Sequence, residues 1–219
     1  GSMLGRIVPE GDTTTGPFYN PNLDNQLALA SGKEVIHYPS SNPNAKRVVL
    51  ADYGVKHNII RHLINRGVEL IRVPWDYDFN QLEYDGLFLS NGPGNPAYCD
   101  EAVNHIRRAI ELEKPIFGIC MGNQLLGKAA GASTLKLKFG HRSQNQPVRR
   151  TGTTTCYITT QNHGYALDAA TLPADWEPMF ENLNDGSNEG IRHKSKPFFS
   201  IQFQPDGVEF LFDEFIKML

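Results

Sequence analysis

Cysteine is scarce in this 219-residue sequence: Cys99, Cys120 and Cys156 are the only three, odd in number and irregular in spacing. With no CxxC pair and no secretory leader, neither a disulfide framework nor a zinc site is expected, and the setting reads as reducing and cytoplasmic. Long apolar runs are also missing, since none approaches the roughly 20 residues that span a bilayer. Nor is there an excess of basic residues. Lys and Arg number 21 against 24 Asp and Glu, a formal charge of −3, which leaves no electrostatic footprint for nucleic acid. Internal repeats and low-complexity tracts are absent, and no cofactor or metal is expected.

What is present suits a large buried core, at 40% hydrophobic residues. Residues 1–45 are rich in Gly, Pro, Asn, Ser and Thr and lack sustained periodicity, which predicts a linker or lead-in arm. From 46 to 219 the pattern changes. RVVLADYG (47–54), ELIRVPW and GLFLSNGPG (86–94) read as buried strands. Between them come amphipathic helices, one carrying Val55, Ile59, Ile60, Leu63 and Ile64, another with Val103, Ile106 and Ile110 facing inward. After about residue 133 the sequence predicts short strands (TLKLKF, TTCYITT, NEGIRHK, FFSIQFQ), then a closing helix with Val208, Leu211, Phe212, Phe215, Ile216 and Leu219 on one stripe. The expected class is α/β: a mostly parallel central sheet flanked by helices, with an added antiparallel β portion.

In such sheets ligands gather at the carboxyl ends of the strands. Three glycine-marked ends fall there: Gly54, the SNGPGNP turn with Gly92 and Gly94, and GICMGNQ around Cys120. A cysteine with glycines two residues to either side, after PIFGI and before QLLGKAAG, fits a nucleophile on a sharp strand-to-helix turn. There the free N–H groups of a helix start favour a thiolate and a developing oxyanion. A small buried thiol is the alternative. Cys99 and Cys156 lack such surroundings and read as structural. Gly122, Gly127 and Lys128 match phosphate-loop spacing, but Ala129 stands where the magnesium-binding hydroxyl belongs. SNGPGNP is either a chain reversal or a backbone approach to a ligand. QNHGY (161–165), joining two predicted strands, is either a tight turn or a ligand-binding edge.

Taken together, the glycine-flanked cysteine, SNGPGNP, FGHRSQNQPV, QNHGYALD and FSIQFQPD resemble the class I (triad) glutamine amidotransferases, and more closely the amidotransferase domain of carbamoyl phosphate synthetase. The likeness spans roughly 46–219, and residues 1–45 then correspond to the tail of a preceding subdomain. It implies that Cys120 attacks the side-chain amide of L-glutamine to form a thioester, with Met121 and Gly94 amides as the oxyanion hole. It implies that Gly92, Gln124, Asn162, Gly164 and Tyr165 hold the substrate, and that a synthetase domain or subunit receives the ammonia.

The pattern breaks late. Gln204-Pro205-Asp206 stands where the family has H-P-E, so Gln204 replaces the general base and Asp206 its orienter; Asn123 replaces a common histidine. A glutamine cannot exchange a proton near neutral pH, so impaired turnover is expected unless His163 or His141 lies within hydrogen-bond reach of the thiol. The alternatives are a catalytically degraded glutamine-binding module of an ammonia-using synthetase, and another elbow hydrolase acting on small amides or esters.

Overall fold

The computed structural model describes residues 3–13 and 16–219; Gly1, Ser2, Thr14 and Thr15, which fall within the expected arm, lie outside the described residues. The arm carries more order than its composition suggests. A short helix α1 (Gln26–Ala30), capped by the Asn25 side chain, buries Leu27, and strand β1 (Ile36–Tyr38) follows. Then come β2 (Arg47–Asp52), α2 (His57–Ile64), β3 (Glu69–Pro74), β4 (Gly86–Leu89), α3 (Asp100–Glu111), β5 (Ile116–Ile119) and α4 (Met121–Ala130). The rest is β6 (Thr134–Arg150), β7 (Cys156–Leu167), β8 (Trp176–Asn182), β9 (Asn188–His193), β10 (Phe198–Ile201) and α5 (Phe210–Met218).

The ten strands among the described residues join one sheet in the order β1-β3-β2-β4-β5-β10-β9-β8-β6-β7. The block β3-β2-β4-β5-β10 is parallel, and the remaining strands are added antiparallel, as the class requires. Strand β10 belongs to the parallel block, paired residue for residue with β5 from Phe198↔Ile116 to Ile201↔Ile119. Buried on both faces, these strands are near-continuous apolar runs whose alternate residues feed two layers. Val49, Ala51, Leu87 and Leu89 pack with Val103 and Ile106 of α3 and with Leu125 and Leu126 of α4. Val48, Leu50, Phe88 and Phe117 pack with Ile59 and Leu63 of α2 and with Phe212 and Phe215 of α5.

Several sequence expectations are corrected here. TLKLKF is the start of a 17-residue strand, and β8 is a strand the pattern did not suggest. QNHGY is no junction: it lies inside β7, where Asn162 pairs with Arg142 and His163 with His141 across the β6–β7 ribbon. These ribbon strands are largely polar and half exposed, with register shifts between Lys136/His141 and between Ser143/Gln146, so they lack the apolar alternation that reveals a strand. Cys156 is exposed at the start of β7, not a core thiol, whereas Cys99 is buried. Gly122, Gly127 and Lys128 lie within helix α4, so their spacing makes no phosphate loop.

Candidate active site

Strand β5 ends at Ile119 and α4 begins at Met121, so Cys120 makes the whole turn by itself. Its φ of 54° and ψ of −102° lie in a region that side chains rarely adopt. Such strain amounts to about 1–3 kcal/mol and persists only where the surroundings over-determine it. Here they do: Cys120 N–H donates to Ile201 O at 2.8 Å and Gly122 N–H to Ser90 O at 3.0 Å, which tie the turn to β10 and to the end of β4. The flanking glycines serve close packing. A Cβ on Gly118 would sit 2.8 Å from the Gly122 carbonyl carbon, and one on Gly122 would sit 2.7 Å from the Leu89 carbonyl carbon.

The other two strand ends meet this turn. A Cβ on Gly92 would be 2.8 Å from the Tyr53 carbonyl carbon, so only glycine lets the loop after β4 cross the loop after β2. Tyr53 N–H donates to Ser90 Oγ at 2.9 Å, Lys56 N–H to Asn91 Oδ1 at 3.1 Å, and Asn91 Nδ2 to Gly54 O at 3.1 Å. Gly94 has a φ of 98°, and a Cβ there would meet Gln26 of α1 at 2.7 Å.

A cavity of about 540 Å³ opens at this edge, and Gly92, Gly94, Cys120, Met121, Gln124, Asn162, Gly164 and Tyr165 all line it. These are the residues singled out for attack, oxyanion stabilisation and substrate holding. Gln124 links the helix to the ribbon, donating from Nε2 to Tyr165 O at 2.8 Å and to Gln202 Oε1 at 3.1 Å. Its own Oε1 is buried without a partner, an acceptor available to a ligand's N–H. The arm supplies Met3, Leu4, Asn20, Pro21, Asn22 and Gln26 to the same cavity wall, a contribution its composition did not suggest.

Gln204 and Asp206 are not among the lining residues. Gln204 is buried, its N–H on Thr160 O at 2.9 Å and its Oε1 unpartnered, while Asp206 is exposed on the turn before α5. Gln202, missed in the sequence, joins a buried polar layer: its Oε1 also accepts from Asn123 Nδ2 at 3.1 Å, and Ser200 Oγ donates to Asn123 Oδ1 at 2.8 Å. Polar residues at 200, 202 and 204 inside the apolar run FFSIQFQ were the available signal, because buried polar groups need partners.

Burial pushes the Cys120 thiol up to about 11, aided by the Glu189 carboxylate and opposed by the Met121 N–H, the Lys56 charge and the Gln202 side chain. Burial thus outweighs the helix start in setting the charge of this thiol. Neither histidine is hydrogen-bonded to the Cys120 thiol. His163 donates from Nδ1 to Tyr165 O at 2.8 Å and meets Gln161 Oε1 at Nε2, also at 2.8 Å. His141 lies between Asp185 Oδ2 at 2.9 Å and Gln161 Oε1 at 2.9 Å, with Glu189 Oε1 3.1 Å from Nδ1. Burial lowers His163; it also opposes charging of His141, but Glu189 and Asp185 outweigh it and raise His141 to about 9.

A strained thiol between a parallel strand and its helix, at the carboxyl edge of the sheet, defines an α/β protein of the elbow class. The sequence profile described as "Glutamine amidotransferase class-I" matches residues 49–218, and the chain belongs to that family. It is 46% identical to "Carbamoyl-phosphate synthase [ammonia], mitochondrial" of Homo sapiens over 100% of this chain and 15% of that protein. It is 50% identical to "Multifunctional protein pyr-3" of Neurospora crassa over 99% of this chain and 14% of that protein. The chain thus spans no more than 15% of the length of these two relatives. Among solved structures, a candidate GMP synthase protein of Thermoplasma acidophilum superposes with a TM-score of 0.69 at 25% identity, covering 81% of this chain and 95% of that one.

Proposed function

We propose that this chain is the glutamine-binding amidotransferase domain of a carbamoyl phosphate synthetase, and that the Gln204 substitution leaves it with impaired turnover. The observation that carries the reading is the convergence of Cys120, on its strained elbow, with Gln124, Asn162, Gly164 and Tyr165 around one cavity. In this reading the Cys120 sulfur bonds to the glutamine side-chain carbonyl carbon. Met121 and Gly94 amides hold the oxyanion, and the C–N bond breaks as the nitrogen takes up the proton lost by the thiol and leaves as ammonia. Water then adds to the thioester, freeing glutamate and restoring the thiol. A synthetase domain or subunit takes the ammonia, and residues 1–45 are the tail of a preceding subdomain. No helix among the described residues is long and apolar enough to cross a membrane, and the three free thiols fit a reducing compartment such as the cytosol.

A thiol pushed up to about 11, a Gln204 that cannot take its proton and two histidines whose polar contacts all go to groups other than the thiol together support impairment. They equally favour the second reading, a glutamine-binding module retained beside a synthetase that uses free ammonia; one relative at 46% identity carries "[ammonia]" in its name. Glutamate release from glutamine, measured for this chain and for Gln204→His, separates the two. Restoring the base should raise the rate ~10²–10⁴-fold. No gain, with glutamine still binding, makes the chain a binding module; robust and equal rates overturn the impairment. Absence of glutamine binding in both overturns the pocket assignment.

A further inference from the structure

Beside the Cys120 cavity lies a buried group that the proposed reaction does not use. His141 and His163 face each other across the β6–β7 ribbon, and Glu189 of β9 closes the third side. One ligand atom from each lies within 4.8 Å of the others, and all three residues are buried. The hydrogen bonds fix which atoms point inward. Tyr165 O can only accept, so His163 Nδ1 carries its proton there at 2.8 Å and Nε2 presents a lone pair. His141 gives its Nε2 proton to the Asp185 carboxylate at 2.9 Å and turns Nδ1 inward. Gln161 is oriented too: Thr159 Oγ1 donates to Gln146 O at 2.9 Å and so accepts from Gln161 Nε2 at 3.0 Å, which aims Gln161 Oε1 at both imidazoles.

With His141 uncharged, every inward atom is an acceptor. Gln161 Oε1 lies 2.8 Å from His163 Nε2 and 2.9 Å from His141 Nδ1, and Glu189 Oε1 lies 3.1 Å from His141 Nδ1. Asn182 Nδ2 holds Glu189 Oε1 at 2.8 Å, while Glu189 Oε2 is buried with no partner. Converging lone pairs around a fully buried carboxylate call for a cation at their centre. Ligands bound at 2.0–2.1 Å to one tetrahedral ion stand about 3.3 Å apart, between the 2.8–3.1 Å contacts here and the 4.8 Å within which the two imidazoles and Glu189 lie. Two imidazoles with two oxygens suit zinc-class divalent ions more than calcium or magnesium. The outer contacts also fit: histidine ligands of metals commonly give their second N–H to a carboxylate or a backbone carbonyl, as Asp185 and Tyr165 provide here.

We propose that His141 Nδ1, His163 Nε2, Glu189 and Gln161 Oε1 form a binding site for one zinc-class divalent cation beside the Cys120 cavity. The ligands come from three strands and only Gln161 and His163 are close in sequence, so no metal-ligand spacing marks the site. Occupancy would anchor His163, which lines the cavity between Asn162 and Gly164, and so couple the ion to the pocket. The competing occupant is a proton shared by His141 and Glu189.

The test is a Zn²⁺ titration of this chain against a chromophoric chelator, without glutamine, so that it stands apart from the functional reading; Co²⁺ spectra provide a second readout. The expected result is one equivalent bound per chain, at least tenfold weaker in both His141→Gln and His163→Gln, with Co²⁺ bands of an N/O site and no thiolate charge transfer. Two histidine variants guard against one failing to fold, which circular dichroism checks. Binding equal in the parent and both variants, no binding at all, or binding lost only in Cys120→Ser with a thiolate band overturns the site.

Discussion

Gly122 packs its Cα face against the Leu89 carbonyl, so closely that a methyl there would stand 2.7 Å from the carbonyl carbon. The contact seats the first turn of α4 on the end of β4 and so fixes how the elbow carries Cys120. Gly122→Ala must push helix and strand apart, and overpacking of this kind costs about 2 kcal/mol. Urea midpoints should show that loss and leave Gly16→Ala, which meets nothing within 4 Å, unchanged. Indistinguishable midpoints for the two variants would mean that helix and strand tolerate the extra volume.

The strand-helix alternation and the elbow were legible because their signals are local. Apolar runs, a 3.6-residue stripe and glycines at strand ends mark β2, β4, β5 and the turn at Cys120 with no knowledge of what packs on them. Of the β6–β7 ribbon only the segments TLKLKF and TTCYITT were legible, since the rest owes its order to cross-strand pairing of polar residues such as His141↔His163, which no window of sequence contains. The arm's share of the cavity was hidden for a related reason: Gln26 reaches Gly94 through tertiary packing. The glycines were seen, but their reason is close approach of backbone to backbone. The polar layer Asn123–Gln202–Gln124 shows that a glutamine inside an apolar strand is a signal in its own right.

Thiol reactivity should follow the burial of each cysteine. With its thiol pushed up to about 11, Cys120 is about one part in 10⁴ thiolate at pH 7, and its alkylation rate should rise about tenfold per pH unit between 7 and 10. Buried Cys99, pushed up to about 12, should lag, and exposed Cys156 should react first with a small neutral reagent. Mass spectrometry of peptides alkylated at each pH checks the order. A plateau for Cys120 below pH 8 would show an activated thiolate and remove one support for impaired turnover.

Phe212 of α5 stacks on Phe88 at 5.7 Å and 5°, meets Phe117 edge-on at 5.7 Å, and carries the Arg66 guanidinium 5.3 Å above its ring. It fastens the last helix to the two central strands, one of which delivers Cys120. Phe212→Ala should cost about 3–5 kcal/mol through lost burial and the cavity left behind. Phe139→Ala, on a ring that is 64% exposed, should fall within about 0.5 kcal/mol of the parent. Similar losses for both in chemical denaturation would contradict the two-layer core.

The Asp52–Arg72 pair closes the carboxyl end of β2, with Arg72 Nη2 2.6 Å from Asp52 Oδ2 and the N–H groups of Gly32, Gly54 and Val55 on the same carboxylate. Burial alone would raise this carboxyl, but the three backbone donors and the guanidinium outweigh it and hold it below the usual range. A depressed folded value means that the unfolded chain binds the proton more readily. The stabilisation is then complete above the unfolded value of about 3.9 and is lost as pH falls through the folded one. Asp52→Asn leaves Arg72 without its counter-charge and should cost about 3 kcal/mol at pH 7. Acid should narrow that gap, because below pH 4 the unfolded parent chain takes up a proton at Asp52 that the folded carboxylate resists, and the parent loses stability that Asp52→Asn never had. Urea unfolding of both proteins from pH 7 to pH 3 measures it, and a difference that stays constant across the range would show that the carboxylate charge contributes nothing to this end of the sheet.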